Sequence, residues 1–257
     1  MCGENLLGSE DKVTVFSTVP VRVRALIITG WRWLWRAVLL LGAAILAYQL
    51  WVFAHIWYWV DHNPAQSAFM ERRLAIAQEK IPDAALRHRW IPYGRISIHL
   101  KRALVAAEDA KFLEHDGFDW EGIQTAYEKN LKKGRVVAGG STISQQLAKN
   151  LFLSGERSLV RKGEEALITL MLESLMSKRR IFEIYLNVIE WGDGVFGAEA
   201  AARHYYATSA AALSAEQAAW LAAIVTKPRY YDKHRAARGP QRKSAILLAR
   251  MNAAQVP

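Results

Sequence analysis

The chain has 257 residues, 52% of them apolar in type and 23% charged, with 16 glycines and 7 prolines, and that composition excludes collagen-like, disulfide-scaffold and wholly disordered chains. Lysine and arginine outnumber aspartate and glutamate by 34 to 24, a net charge of +10, and 29 against 21 of them lie beyond residue 60. Such an excess points to anionic partners, whether phosphate groups, acidic lipid headgroups or nucleic acid, and the one cysteine, Cys2, leaves no disulfide framework or cysteine zinc site to build.

From Ala37 to Val60 runs AVLLLGAAILAYQLWVFAHIWYWV, 24 residues without a formally charged side chain. At about 1.5 Å per residue this spans roughly 36 Å, enough to cross a hydrocarbon core of about 30 Å. Trp31, Trp33 and Trp35 precede the run and Trp57, Tyr58 and Trp59 close it, the placing of aromatic belts at two membrane interfaces. A buried core helix has no reason to gather indoles at both ends. A cleaved signal peptide would be shorter and followed by a small-residue cleavage site.

Arg22, Arg24, Arg32 and Arg36 lie close before the run and only Arg72 and Arg73 close after it, a bias that puts the N-terminus in the cytoplasm. The expected organisation is therefore a cytoplasmic tail over 1–36, a transmembrane helix over 37–60 and an exported domain over 61–257. The expected protein crosses the membrane once, with its larger part exported. An exported domain without cysteine has nothing to misoxidise there. Cys2 follows Met1 with no hydrophobic signal before it, so it is not a lipoprotein anchor.

Beyond Asp61 there is no internal repeat or low-complexity tract, and one mainly α domain is expected. Leu100, Ala103, Leu104 and Ala107 fall at i, i+3, i+4, i+7 and mark an amphipathic helix with Glu108 and Asp109 at its C-terminal end. Helix starts are signalled by Asp119, by Thr142 with Gln145, by Ser158, and by Ser214 with Gln217. Strand patterns are scarce. RISIHL at 95–100 is the best candidate, read either as a strand or as the lead into the following helix.

Four blocks carry the chemistry. EDAKFLEHDGFDW at 108–120 holds five carboxylates and a histidine where a helix gives way to a turn, so a carboxylate there can face a cleft. AGGSTISQQLAKNLFL at 138–153 opens a helix with two glycines and sets Thr142, Gln146 and Lys149 on one face, leaving Ile143, Leu147 and Leu151 for the core. Exposed N–H groups at such a start, with a lysine two turns on, can hold an anionic oxygen. RSLVRKGEEALITLMLE from 157 lines up Arg157, Arg161 and Glu165 at i+4 steps, with Lys162 about 100° round the helix. KRRIFEIYLNVIEWGDGVFGAEAAARHYY at 178–206 reads as helix, Gly-rich loop and helix, with Ile181, Ile184 and Tyr185 as core and Glu183 and Asn187 bracing a cleft wall.

Together, in this order and spacing, these blocks resemble the peptidoglycan glycosyltransferase family, and more narrowly its monofunctional, membrane-anchored biosynthetic transglycosylases. The resemblance covers roughly residues 90–230. It implies a mainly α, lysozyme-like, two-lobed domain that polymerises lipid II into glycan strands and releases undecaprenyl pyrophosphate by an inverting displacement. It also implies Glu108 as the base that takes the proton of the acceptor 4-hydroxyl, and Glu165 as the second essential carboxylate. Asp109, Phe112 and His115 would shape the cleft, while Thr142, Gln146, Lys149 and Asn150 with Arg157, Arg161 and Lys162 would bind substrate, the cations at the donor pyrophosphate. A divalent cation, Mg or Mn, assists in some members. Expected partners are lipid II, the growing glycan, the membrane and other wall-synthesis or division proteins, with no nucleic acid.

Only 60 residues follow Gly197, too few for a second catalytic domain such as a transpeptidase, and the lone S-x-x-K match, Ser9 to Lys12, falls in the N-terminal tail. A lysozyme-like glycan hydrolase would use Glu108 but leave Lys149 and Arg161 idle. A catalytically silent membrane scaffold would leave the whole set idle.

Overall fold

The computed structural model describes residues 21–135, 137, 139–153 and 158–257; Arg157 and the Ser9–Lys12 stretch lie outside the described residues. The chain divides into two compact units, residues 1–51 and 52–257. Helix α1, Val21–Tyr58, begins in the first unit and ends in the second. Within its stretch from Leu26 to Tyr58 the most apolar 18 residues have a mean hydropathy of 2.1, and among the described residues this is the one helix long and apolar enough to cross a membrane. Leu39, Leu40 and Leu41 are all exposed rather than packed into a protein core. Val52 and Ile56, by contrast, are fully buried, so the end of α1 contributes to the core of the second unit.

In that unit the helices start where the capping side chains stand. Helix α2 (Ala68–Gln78) is capped by Ser67, α3 (Ile98–Glu108) by Ser97, and α4 (Trp120–Lys133) by Asp119, whose Oδ1 accepts from Gly122 N at 2.9 Å. Helix α5 (Ile143–Phe152) has the reciprocal box of Thr142 and Gln145, and α6 (Leu159–Leu175) and α7 (Lys178–Val188) begin after Ser158 and Ser177. Each cap satisfies an N–H that would otherwise lack a partner, at roughly 0.5–2 kcal/mol apiece. RISIHL is the lead into α3, because Ser97 caps it and Tyr93–Arg95 forms a single 3-10 turn.

The sequence pattern does not foreshadow a small sheet in which β1 (Arg87–His88) pairs parallel to β3 (Val195–Phe196), and β2 (Glu190–Gly192) pairs antiparallel to β3. Strands of two and three residues are too short to show alternation. The Gly-rich loop is thus a hairpin, closed by Gly197 at φ +81°, where a Cβ would lie 2.6 Å from Asn187 O. Helices α8 (Ala198–Tyr206), α9 (Ala215–Ile224), α10 (Pro228–Lys233) and α11 (Arg238–Arg250) complete the chain.

Two packing groups position the chemistry-bearing side chains. Helix α3 lies against α9 and α11, and α5 lies against α6 and α7. Leu100, Ala103 and Leu104 of α3, Ile143 and Leu147 of α5, Ile168 and Leu172 of α6 and Ile181 and Ile184 of α7 are fully buried. Burial of one such Leu or Ile stabilises by about 1.5–3 kcal/mol. Asn187, fully buried on α7, ties the incoming 87–93 segment to this core: its Oδ1 accepts from Ile91 N at 2.9 Å and its Nδ2 donates to Ile91 O at 3.0 Å. Glu183 adds an acceptor for Tyr93 N at 2.9 Å. Asn187→Ala would strand the Ile91 amide in the interior, and chemical unfolding should show a loss of about 2–4 kcal/mol.

Candidate active site

Glu108 is the last residue of α3, and the next residue, Asp109, turns the backbone out of the helix at φ −163°, ψ 77°. Adjacent carboxylates are thereby sent into different surroundings. Asp109 is buried and accepts from His115 Nε2 at 3.0 and 3.1 Å and from Ile143 N, the first residue of α5, at 3.0 Å. Gly117 N–H donates to His115 Nδ1 at 3.2 Å, which assigns the ring proton to Nε2, facing Asp109. Gly117 has φ +94°, and a Cβ there would meet Thr169 Cγ2 at 2.8 Å.

Thr142 donates to Gly117 O at 2.7 Å while accepting from Gln145 N at 3.2 Å, so its hydroxyl fastens the turn to the start of α5. Phe112 is fully buried against Phe182, with centroids 5.6 Å apart, and Lys178 Nζ sits 4.7 Å from its ring centre. Lys178 also bonds to His115 O and Glu173. Asp109, Phe112, His115 and Thr142 therefore form one interlocked support beneath Glu108.

Glu108 itself faces α5. Its Oε2 accepts from Gln146 Nε2 at 3.1 Å, and its Oε1 from Lys243 Nζ of α11 at 3.4 Å. Gln146 Oε1 in turn accepts from the hydroxyl of Tyr185 on α7 at 3.0 Å. Asn150 spends its amide on Gln146 O, one turn back along α5, at 2.7 Å. Lys149 is largely buried, and burial holds its ammonium below the ordinary lysine value of 10.5; Glu165 and Glu108 oppose that shift, while Arg161 and Lys162 reinforce it. One buried cation thus feels both candidate carboxylates.

Glu165 on α6 is only 3% exposed and is gripped by Arg161 Nη1 at 2.8 Å and by Lys162 Nζ. Lys162 also reaches Ser141 Oγ at 3.4 Å. Arg161 Nε is buried and has no hydrogen-bond partner among the described residues. A pocket of about 250 Å³ is lined by Glu108, Asp109, Asp119, Gly140, Ser141 and Thr142 among others. Larger cavities of about 370 and 360 Å³ lie around Arg73 and Arg229. In the first, the carboxylate of Glu190 is bound by Arg73 at 3.2 and 3.3 Å and burial pushes its pKa up. Volume and clustered cations would choose that face; the pocket-lining carboxylate held by donors from two other helices is Glu108.

The donor set does not make a cage for a resident divalent cation. Asp109 is committed to His115 and Ile143 N, Glu165 to Arg161 and Lys162, and among the described residues no group of three or more His, Cys, Asp or Glu could hold a metal ion.

Sequence reasoning missed two of these contacts. Tyr185 reads as core from its spacing, and its ring is indeed buried, but its hydroxyl reaches Gln146. Lys243 lies 135 residues from Glu108 with no local signal to join them, other than a second run of basic residues, Arg242 and Lys243, ahead of an apolar stripe.

Residues 75–252 match the Transglycosylase family. The chain is 67% identical over 223 residues to the biosynthetic peptidoglycan transglycosylase of Methylobacillus flagellatus, covering 87% of this chain and 97% of that protein. It is 66% identical over 226 residues to the protein of the same name from Laribacter hongkongensis, with coverage of 88% and 99%. Against that of Chromobacterium violaceum the identity is 61% over 226 residues, with the same two coverages.

The two neighbouring carboxylates should separate cleanly in unfolding experiments. Asp109→Ala removes acceptors for His115 and for the first N–H of α5, and should cost about 1.5–3 kcal/mol of stability, whereas Glu108→Gln should stay within about 0.5 kcal/mol of the parent.

Proposed function

The chain belongs to the transglycosylase family and is a peptidoglycan transglycosylase, and from that premise we propose that it polymerises lipid II into glycan strands, with inversion, releasing undecaprenyl pyrophosphate. The observation that carries this reading is the placing of Glu108 near Lys149, which also feels Glu165, a buried carboxylate gripped by the half-buried Arg161 and the more exposed Lys162. A base and an anion clamp are the two things the reaction needs.

Glu108 takes the proton of the acceptor 4-hydroxyl as that oxygen forms its bond to the anomeric carbon of the donor sugar. The bond from that carbon to the pyrophosphate oxygen breaks on the opposite face, and its electron pair leaves with the pyrophosphate. Lys149, Arg161 and Lys162 meet the charge that develops there, and Arg161 Nε brings an N–H with no other partner among the described residues. Glu165 holds the two side chains of α6 in place and keeps their clustering from being self-repulsive. No step is assigned to a metal ion.

Helix α1 anchors the enzyme in the inner membrane that also holds the lipid-linked substrates, with the domain on the periplasmic side that the arginine bias before residue 37 favours. Its basic surface favours anionic headgroups and phosphates at that membrane. Other wall-synthesis or division proteins are its expected company there.

Detergent-purified protein incubated with labelled lipid II should give a ladder of long glycan on a gel, and Glu108→Gln should give none while keeping its fold. Polymer made by Glu108→Gln would remove Glu108 as the base; cleavage of preformed glycan without polymerisation would turn the reading to a hydrolase. The lowered pKa of Lys149 sets a second test. A lysine with a depressed pKa is a cation only below that value, so affinity for the lipid-linked donor should fall as pH rises, beginning below 10.5, the ordinary lysine value. Lys149→Arg, charged throughout, should show no such decline in donor affinity over the same range.

A further inference from the structure

The hydroxyl of Tyr185 is the one polar atom on a ring otherwise spent on packing. The side chain is fully buried, with its ring stacked near Phe182 at 6.2 Å between centroids, so phenylalanine would fill the same space. A buried hydroxyl is unfavourable unless it is hydrogen-bonded, and this one donates to Gln146 Oε1 at 3.0 Å. The carboxylate of Glu108 only accepts, so the Gln146 amide turns its NH₂ to it, Nε2 donating to Oε2 at 3.1 Å, and its oxygen is left for the Tyr185 hydroxyl, which holds the amide from the far side. Rotated by 180°, the same amide would set its oxygen against a carboxylate that has no proton to give.

We infer that Tyr185 is a positioning residue for the reaction, acting through Gln146 to fix the Glu108 carboxylate in the direction from which it receives the acceptor proton. This rests on the reading of Glu108 as the base. Glu108 has a second tether, Lys243 Nζ at 3.4 Å from Oε1, so the carboxylate is held from α5 and α11 on its two oxygens and indirectly from α7. Burial and the nearby charges of Glu108 and Asp109 push the Tyr185 phenol well above its ordinary pKa of 10.0, so it remains a donor at every working pH. The arrangement is an ordered relay of donors, Tyr185 to Gln146 to Glu108, whose end is the group that must be correctly aimed at the moment of proton transfer.

The test is a double-mutant cycle on polymerisation, with Tyr185→Phe made in the parent and in a Gln146→Ala background. In the parent, Tyr185→Phe should lower kcat about tenfold with KM unchanged and the melting temperature lowered by no more than a few degrees, the remaining rate reflecting the intact Lys243 tether. In Gln146→Ala the same substitution should change kcat by less than about twofold, because the relay is already broken. An unchanged kcat in the parent, or an equal loss in both backgrounds, overturns the inference. Side-chain amide NMR of glutamine-labelled protein supplies a readout that needs no turnover. The Gln146 NH₂ pair should stand apart from exposed glutamines in the parent and in Glu108→Gln lose part of that displacement; in Tyr185→Phe it should collapse toward the exposed set. A parent that makes no polymer would sink the proposed function, while a Gln146 signal indifferent to Tyr185→Phe would sink the relay alone.

Discussion

The carboxylate of Asp109 ties the end of α3 to the beginning of α5, and the site depends on that tie. Its acceptance of Ile143 N–H at 3.0 Å places an anion at a helix N-terminus, where unpaired N–H groups and the helix dipole favour negative charge by about 0.3–1 kcal/mol, more when partly buried. His115 saturates the same carboxylate from the other side, and Thr142 closes the loop by bonding to Gly117. With the two helix ends locked together, Glu108, one residue before the tie, comes within reach of Gln146, three residues after it. The proximity of Glu108 and Gln146 is therefore a consequence of backbone fastening rather than of any attraction between them.

Electrostatics then constrains what the other carboxylates can do. A glycoside hydrolase works with a pair of carboxyl groups, one giving a proton and the other serving as nucleophile or activating water. Here two of the carboxylates near Glu108 are not free for the second role. Asp109 is consumed by His115 and Ile143 N–H, and Glu165 by Arg161 and Lys162. Near Glu108 and Glu165 stands instead Lys149, a cation largely taken out of water, whose depressed pKa records the cost of that burial. A buried cation of this kind gains most when an anion arrives to share the desolvated space. A binding protein for nucleic acid would spread its basic residues over an accessible surface, and a silent scaffold would have no reason to aim Glu108 with donors from two helices and relay them from a third.

Much of this was legible in the sequence, for identifiable reasons. Capping residues at Asp119, Thr142, Ser158 and Ser214 announced helix starts because cap chemistry is local, and the i, i+4, i+7 set of Thr142, Gln146 and Lys149 was readable because helix periodicity is local too. The sheet was not, since β1 and β3 meet across more than a hundred residues and each is two residues long. Side-chain roles within a correctly read helix were only half visible: spacing shows that Tyr185 faces the core, but not that its hydroxyl ends opposite Gln146. Nor does a motif say that Thr142 serves the turn at Gly117 while Gln146, on the same face, serves Glu108.

The contact of Lys243 with Glu108 extends the site beyond the motif region. Helix α11 packs on α9 and on α3, the helix that ends at Glu108, and Leu247, one turn beyond Lys243, is buried there. Lys243 therefore reaches Glu108 from a helix whose own position depends on the α3 core, and Glu108 gains a charged donor only once the last helix has docked. Glu108 alone on α3 would be a carboxylate at a frayed helix end, free to turn toward solvent. Held from α5 through Gln146 and from α11 through Lys243, it has little freedom left to lose when a ligand binds, and the entropy of aiming this carboxylate has been met during folding.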